Sequence, residues 1–217
     1  MKDIQRVSPV VFKAAPLKTE KRNNWDVVME YKDEGEGPYI VDLSHKPRFD
    51  FQDADLSART PLGIKLPEVF GSSVLENGIL VNRMNRTQVS LYCIDGQDDA
   101  GLPDAPGVTD EPGFTDVTES TICIALIGKQ VFQICEKLTA LDFTDPEKKT
   151  PFLFQGPFSH VPCQIVTLNR DNEKSGITLT CSRGYGRDMI HAILNAGEEF
   201  NLKPAGETRF AGWIKNL

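Results

Sequence analysis

The sequence has no long apolar run. Its longest is Ile122–Ile127, whereas a helix that crosses a bilayer needs about 20 mainly apolar residues. Residues 1–16 also lack an apolar segment of signal-peptide length. These absences exclude a membrane-spanning helix from the prediction and lead us to expect a cytoplasmic protein that is not secreted.

Paired cysteines are missing as well. The chain has five cysteines, an odd number, and none forms a C-x-x-C pair. They are Cys93, Cys123, Cys135, Cys163 and Cys181. A disulfide framework or a structural zinc site needs regular, closely spaced cysteines. We therefore predict five reduced cysteines inside the fold and no metal.

Positive charge is in deficit. The 24 Lys and Arg residues are outnumbered by 31 Asp and Glu residues, which gives a net charge of −7. Nucleic acids and anionic membranes both attract basic surfaces. The composition therefore predicts that neither is a partner, although a local basic pocket for an acidic ligand stays compatible with it.

The 217 residues, 40% of them hydrophobic, divide into an arm and two halves by composition. Residues 1–38 are polar, broken by Pro and Gly, and are predicted to form an extended N-terminal arm. Residues 39–112 form a first α+β half that ends in the Asp-, Gly- and Pro-rich loop Asp95–Pro112. Residues 113–217 form a second half.

Predicted strands and helices follow one another along the second half. We predict a strand at Asp116–Ile127, a helix after Gly128, a turn at Gly156–Pro157, strands at Cys163–Leu168 and Gly176–Cys181, and a final helix at 187–200. This order is typical of an α+β domain with an antiparallel sheet and helices on one face.

A faint repeat joins the two halves. The segments Val41-Asp42-Leu43-Ser44 and Thr115-Asp116-Val117-Thr118 both place an Asp, an aliphatic residue and a hydroxyl in the same order. Four common residue types are weak support by themselves, but two related halves would produce such a match.

The C-terminal segment carries a family resemblance. The turn Arg183-Gly184-Tyr185-Gly186 leads into the final helix, and Leu202-Lys203-Pro204-Ala205-Gly206 and Arg209 follow. This order resembles the folate-binding T-protein of the glycine cleavage system, and more closely the gamma subunit of heterotetrameric sarcosine oxidase. Asp42-Leu43-Ser44-His45 and Thr60–Pro67 resemble further motifs of these families. The resemblance implies two intertwined ferredoxin-like halves, as in the N-terminal region of T-proteins.

Several positions depart from the T-protein pattern. Lys46 and Pro47 stand where T-proteins carry Met and Gly, and no Asp pair lies in the region Glu76–Ile94, where the catalytic acid of T-proteins would be. The barrel domain that follows this region in T-proteins has no counterpart in the sequence up to Leu217. These departures favour the gamma-like branch, whose members do not carry the chemistry of their complex.

The resemblance also implies a folate pocket. Its candidate residues are Arg183, Tyr185, Arg187, Asp188 and Arg209. Arg supplies paired donors and Tyr a stacking face, whereas the competing interpretation is a strand-to-helix turn with solvated arginines. His45 is more simply explained as a residue that satisfies a backbone group. Nothing in the sequence supports a Ser44–His45 triad.

Three functions therefore compete. The leading hypothesis is a non-catalytic accessory subunit of a sarcosine oxidase-like complex, with larger flavoprotein subunits as partners. Tetrahydrofolate would accept the one-carbon unit, and flavin and NAD would lie on the partner subunits. The second is a standalone folate-dependent aminomethyl- or methyltransferase, with Asp42, Asp95 or Asp188 as the acid or base. The third is a folate-binding assembly or regulatory protein.

Overall fold

Three sheets and three α-helices make up the residues that the computed structural model describes, 4–95 and 112–217. The predicted boundary loop Asp95–Pro112 lies outside this description except for its two end residues. Within the described residues, no helix is both long enough and apolar enough to cross a membrane.

The first sheet is a hairpin of β1 (Pro16–Arg22) and β2 (Trp25–Tyr31). The second has the strand order β10 (Phe152–Phe158), β11 (Val161–Asn169), β12 (Gly176–Ser182), β9 (Thr121–Ile127), β3 (Tyr39–Asp42) and β13 (Lys203–Ala205). The third has the order β5 (Ser73–Glu76), β6 (Ile79–Arg83), β7 (Gln88–Cys93), β4 (Arg48–Gln52) and β8 (Phe114–Asp116). The helices are α1 (Val131–Glu136), α2 (Gly186–Gly197) and α3 (Glu207–Ile214). Among these strands, only β13 and β3 pair in parallel.

Two-residue turns set the register of the hairpins. Asn23 and Asn24 both have positive φ (46° and 66°) between β1 and β2, and Asn77 and Gly78 (52° and 77°) do the same between β5 and β6. Left-handed pairs of this kind match the twist of antiparallel strands, and Asn and Gly tolerate them best. A Cβ at Gly78 would also lie 1.8 Å from Asp95 O.

Two crossover segments link the large sheets. The chain passes from β3 in the six-stranded sheet to β4 in the five-stranded sheet, and from β8 in the five-stranded sheet to β9 in the six-stranded sheet. Strand β3 pairs with β9, and β4 pairs with β8. Each half therefore contributes a strand to the sheet of the other, which confirms the predicted intertwining.

The faint sequence repeat marks these crossovers. Asp42 Oδ1 accepts from Ser44 N (2.9 Å), and Asp116 Oδ1 accepts from Thr118 N (2.8 Å). Cys123 N donates to Ser44 Oγ (3.2 Å), and Arg48 N donates to Thr118 Oγ1 (2.9 Å). The same short motif therefore builds the same hydrogen-bond pattern twice, once for each crossover.

The core has three layers. Helices α1 and α2 cover the outer face of the six-stranded sheet, where Ile124 and Leu126 of β9 meet Val131 and Ile193. The alternate residues of β9, including Cys123, face the five-stranded sheet. Helix α3 joins that second layer through Phe210 and Ile214, and the partly buried Trp213 packs against it. The outer face of the five-stranded sheet packs against residues 56–66.

The predicted fold class is confirmed as α+β with antiparallel sheets, and two local predictions are wrong. The stretch predicted as one strand, Asp116–Ile127, is two strands in different sheets, separated by the turn at 117–120. The turn predicted at Gly156–Pro157 lies inside β10, and the chain reverses at Ser159–His160, where both φ angles are positive. All five cysteines are buried and free.

Candidate functional site

A cleft of about 310 Å³ lies where residues 7–14, in the first part of the arm, pass over the hairpin and the end of β3. We call it the arm cleft. Its walls are largely apolar and include Val10, Trp25 and Val27, whereas Asp42 and His45 are polar groups at its base. Apolar walls with a few fixed polar groups are typical of small-molecule sites, which begin near this volume.

The Asp42–His45 turn is fixed from several directions. Leu43 N donates to Cys123 O (2.8 Å), and the buried Ser44 hydroxyl contacts the backbone of Cys123. The guanidinium of Arg48, buried in the same crossover, donates to Leu43 O, Ser44 O (both 3.3 Å) and Lys46 O (2.7 Å). The base of the arm cleft is therefore a rigid part of the crossover.

Tyr31 also lines the arm cleft. Its burial, together with the nearby negative charges of Asp42 and Glu34, raises the pKa of the Tyr31 hydroxyl. The phenol therefore stays protonated and is available as a hydrogen-bond donor across the physiological range.

A buried ion cluster lies beside the cleft. The Glu207 side chain is only 4% exposed, and three basic side chains converge on it: Arg22 (Nη1–Oε2, 2.7 Å), His45 (Nε2–Oε2, 3.2 Å) and Lys46, whose ammonium contacts Oε1. The His45 N–H is not aligned for a hydrogen bond, so its contact with Glu207 is electrostatic. The cluster joins the hairpin, the crossover and α3.

The Glu207 carboxylate is held ionised. Burial by itself would raise its pKa, but His45 and Lys46 together outweigh that effect and lower the pKa of Glu207 well below its ordinary range. The resulting cluster surrounds one buried carboxylate with basic side chains from two other parts of the chain, an arrangement suited to structure. A carboxylate of this kind is a poor general acid, because it does not hold a proton near neutral pH.

The start of α3 is built by a second glutamate. Glu34 Oε1 accepts hydrogen bonds from Tyr31 N (2.9 Å) and Gly206 N (2.8 Å). A Cβ at Gly206 would lie 2.1 Å from Met29 O, so only glycine allows α3 to begin this close to β2. Arg209 pairs with Glu34 (Nη2–Oε2, 3.3 Å), and its guanidinium carbon lies 4.8 Å from the centre of the Tyr39 ring.

The five sequence-predicted site residues fall in two places. Arg183, Tyr185, Arg187 and Asp188 lie together at the start of α2, beside the first residue of β9. Arg209 lies near Tyr39, which pairs with Ile127 at the last residue of β9. A seven-residue strand spans roughly 20 Å, so Arg209 and the other four lie near opposite ends of β9.

Within that turn, only Arg183 reaches toward the arm cleft. Its Nη2 donates to Val7 O, and Val7 lines the cleft. Its Nη1 is buried and has no hydrogen-bond partner among residues 4–95 and 112–217. Tyr185 is half exposed, and Arg187 and Asp188 are exposed on the surface of α2. The folate pocket at these residues stays a prediction.

Sequence reasoning missed the residues that organise this region. Glu207 directly follows the Leu202–Gly206 motif, and an acidic residue after a glycine is a signal for a helix start. In the sequence Lys46 stands out only as a departure from the T-protein pattern, but in the structure it pairs with Glu207. Arg22 lies in the arm, where no motif marks it. The pairing is long-range, so local patterns carry little trace of it.

One further carboxylate stands apart. Asp50, on β4, is partly buried, and its burial raises the pKa of the carboxyl, while a hydrogen bond from Gln88 Nε2 (3.2 Å) opposes that rise. A protonatable carboxyl inside a protein is a candidate acid or base. Asp50 lies on the face of β4 opposite that of Phe49 and Phe51, which join the outer cluster of the five-stranded sheet.

Among known proteins, similarity to this chain is found in solved structures. No protein-family model and no curated protein sequence matches the chain. Among solved structures, heterotetrameric sarcosine oxidase from Corynebacterium sp. U-96, in complex with pyrrole 2-carboxylate, has a chain that matches with a TM-score of 0.60 at 15% identity. That match covers 74% of this chain and 84% of the other. Aminomethyltransferase T of the glycine cleavage system from Bartonella henselae matches with a TM-score of 0.60 at 14% identity.

The chain has the fold of these two proteins. The second match covers 90% of this chain but 57% of the aminomethyltransferase, so the chain spans little more than half of that protein. The fold that the resemblance implies is therefore confirmed. At 14–15% identity the likeness extends to the fold alone.

Proposed function

We propose that this chain is a non-catalytic accessory subunit of a sarcosine oxidase-like complex. Such a complex oxidatively demethylates N-methyl amines and passes the one-carbon unit to tetrahydrofolate. The partners are larger flavoprotein subunits in a hetero-oligomer, and flavin and NAD lie on them. The chain contributes a rigid surface to the assembly.

The observation that carries this proposal is the extent of the match with the sarcosine oxidase chain. It includes 84% of that chain, so most of its fold has a counterpart here. The aminomethyltransferase match includes only 57% of that enzyme, which is weaker support for an independent transferase.

The fates of the nominated carboxylates give further support. Asp42 accepts a hydrogen bond from Ser44 N within the crossover and is part of a structural turn. Asp188 lies exposed in the first turn of α2, where a negative charge favours the helix. Neither lies in the buried environment that tunes a carboxyl for acid–base catalysis.

An affinity purification of the tagged chain from extract of its own cells tests the proposal. We expect stoichiometric recovery of larger chains, identified by mass spectrometry, together with the visible absorbance of an oxidised flavin cofactor. Recovery of the chain alone and colourless would overturn it.

The alternative is a standalone folate-dependent transferase, and two observations favour it. Asp50 offers a carboxyl with a raised pKa, and the arm cleft offers aromatic and aliphatic walls that suit a planar heteroaromatic ring. Trp25 and Tyr31 would contact such a ring, while Asp42 and His45 would bind its polar edge.

Titration of the isolated chain with tetrahydrofolate, followed by a transfer assay, separates the remaining functions. Binding with turnover that Asp50→Asn or Asp188→Asn abolishes would establish the transferase. Binding without turnover and without partners would establish a folate-binding assembly or regulatory protein. An absence of binding leaves the accessory subunit as the function that fits.

A further inference from the structure

A second cleft, of about 590 Å³, lies on the far side of the five-stranded sheet from the arm cleft. We call it the loop cleft, because residues 56–60 and 65–68 form most of its lining and Arg83 completes it. Leu56 and Leu66 give it an apolar base, since both are buried in the outer core of this sheet. The proposed function makes no use of it.

Arg83 is nine-tenths buried at the end of β6, with 9% of its surface exposed. Its backbone is held on both sides, because Arg83 N donates to Ser72 O (3.0 Å) and Gly71 N donates to Arg83 O (2.9 Å). The guanidinium is therefore delivered to the loop cleft by a strand that is fixed in place.

Among residues 4–95 and 112–217, no carboxylate pairs with the Arg83 guanidinium. Nη2 donates to Arg86 O (3.1 Å), and the Phe70 ring centre lies 5.8 Å from Cζ. Nε has no hydrogen-bond partner, and no carboxylate lies within 4.0 Å, among the residues that the structure describes. A charge that has left water without a partner is unfavourable, so an anion at this position would be strongly stabilised.

Two more cations line the same cleft. Arg59 pairs with Asp53 (Nη2–Oδ2, 2.6 Å), and Lys65 lies 3.9 Å from Glu68 with 85% of its side chain exposed. Both side chains keep donors free, because Arg carries five N–H groups and Lys three. The lining of the loop cleft thus carries three cationic side chains against one carboxylate, Glu68, on a protein whose net charge is −7.

We propose that the loop cleft binds a small molecule that carries a carboxylate or phosphate group. The oxyanion lies against the Arg83 guanidinium, which matches it with paired donors, and Lys65 and Arg59 add charge at the entrance. The apolar part of the ligand lies on Leu56 and Leu66.

Titration with inorganic phosphate and with succinate, each followed by backbone amide NMR at constant ionic strength, tests this site. We expect a saturable shift of the amides of residues 56–68 and 83 with at least one probe, and none with sodium chloride alone. The probe that binds more tightly identifies the group that the site prefers.

Two matched variants show whether Arg83 is responsible. Arg83→Gln should weaken binding roughly tenfold or more, as expected when a hydrogen bond between charged groups is lost. Arg86→Gln removes the same charge from an exposed side chain three residues away and keeps the backbone acceptor, so it should leave binding unchanged.

If Arg83→Gln does not fold, Lys65→Gln is tested in its place, since the Lys65 side chain is exposed. Loss of this one charge should weaken binding about threefold. The proposal is overturned if neither probe gives a saturable shift, or if Arg83→Gln binds as the unchanged protein does. With Arg83→Gln unfolded, unchanged affinity in Lys65→Gln overturns it equally.

Discussion

Glu207 is the residue at which three separate parts of the chain meet. Its carboxylate contacts Arg22 of the hairpin and His45 and Lys46 of the first crossover, and it stands at the first position of α3. Buried carboxylates tolerate such a position only when cations surround them. Glu207 and Glu34 therefore supply polar contacts that fix the hairpin to the core, beside the buried apolar residues of β2.

Replacement of Glu207 by Gln should destabilise the protein by about 3 kcal/mol, because it leaves buried cations without a carboxylate. Urea unfolding followed by circular dichroism measures the change. Glu199→Gln is the control, since Glu199 and Lys137 form an exposed pair that should contribute less than about 1 kcal/mol. Equal effects of the two variants would contradict the role assigned to Glu207.

The same cluster predicts a dependence on acid. The folded-state pKa of Glu207 is lowered from its ordinary 4.5, so its contribution is complete above that pH and is lost as the pH falls below it. The free energy of unfolding should therefore fall more steeply below pH 4.5 in the unchanged protein than in Glu207→Gln. Parallel profiles for the two proteins would show that Glu207 titrates normally.

At the scale of elements, the two crossovers are the structural centre of the fold. Arg48 begins β4 and donates to backbone carbonyls of both crossovers, including Lys46 O (2.7 Å) and Thr121 O (3.0 Å). Ser44 and Thr118 occupy equivalent positions on either side of it. One buried guanidinium thus binds both connections between the sheets.

Ser44→Ala and Thr118→Ala should each destabilise the protein by about 1–2 kcal/mol, because each leaves buried backbone groups of Cys123 or Arg48 without a partner. Thermal unfolding by calorimetry measures both. Ser120→Ala is the control, since its hydroxyl is exposed and contacts only Val117 O. If only one of the two variants is destabilised, the two crossovers are not equivalent.

The crossovers also show how far sequence patterns lead. The Asp-x-Ser and Asp-x-Thr repeat was visible, and alternating strands such as Cys163–Leu168 lie within observed strands, because both depend on neighbouring residues. The break within Asp116–Ile127 was not predicted, since β-branched residues run across it and only pairing with β4 and β3 separates its parts. Arg48 and Glu207 were missed for the same reason: their partners are distant in sequence.

At the scale of the whole molecule, the N-terminal arm covers the arm cleft. Trp25 is almost fully buried there, and Val10 from the arm joins the core on the helical side of the six-stranded sheet. Most of the core lies between the sheets and beneath α1 and α2, without the arm. The arm is therefore a cover on a fold that stands largely without it.

Deletion of residues 1–15 should open the arm cleft and leave the sheets folded. In a Trp213→Phe background, Trp25 is the remaining tryptophan and gives the tryptophan fluorescence. On deletion, this emission should move to longer wavelength, and acrylamide should quench it more strongly. The full-length chain with the same Trp213→Phe change is the control. Unchanged emission on deletion would mean that the hairpin, and not the arm, buries Trp25.

The chain shares its fold with a chain of heterotetrameric sarcosine oxidase, and the accessory role in a flavoprotein complex is our proposal. Native mass spectrometry of the untagged chain, purified under mild conditions from its own cells, tests it most directly. The account predicts a single assembly in which this chain is stoichiometric with larger, flavin-carrying chains. A lone chain that turns over tetrahydrofolate without them would contradict it.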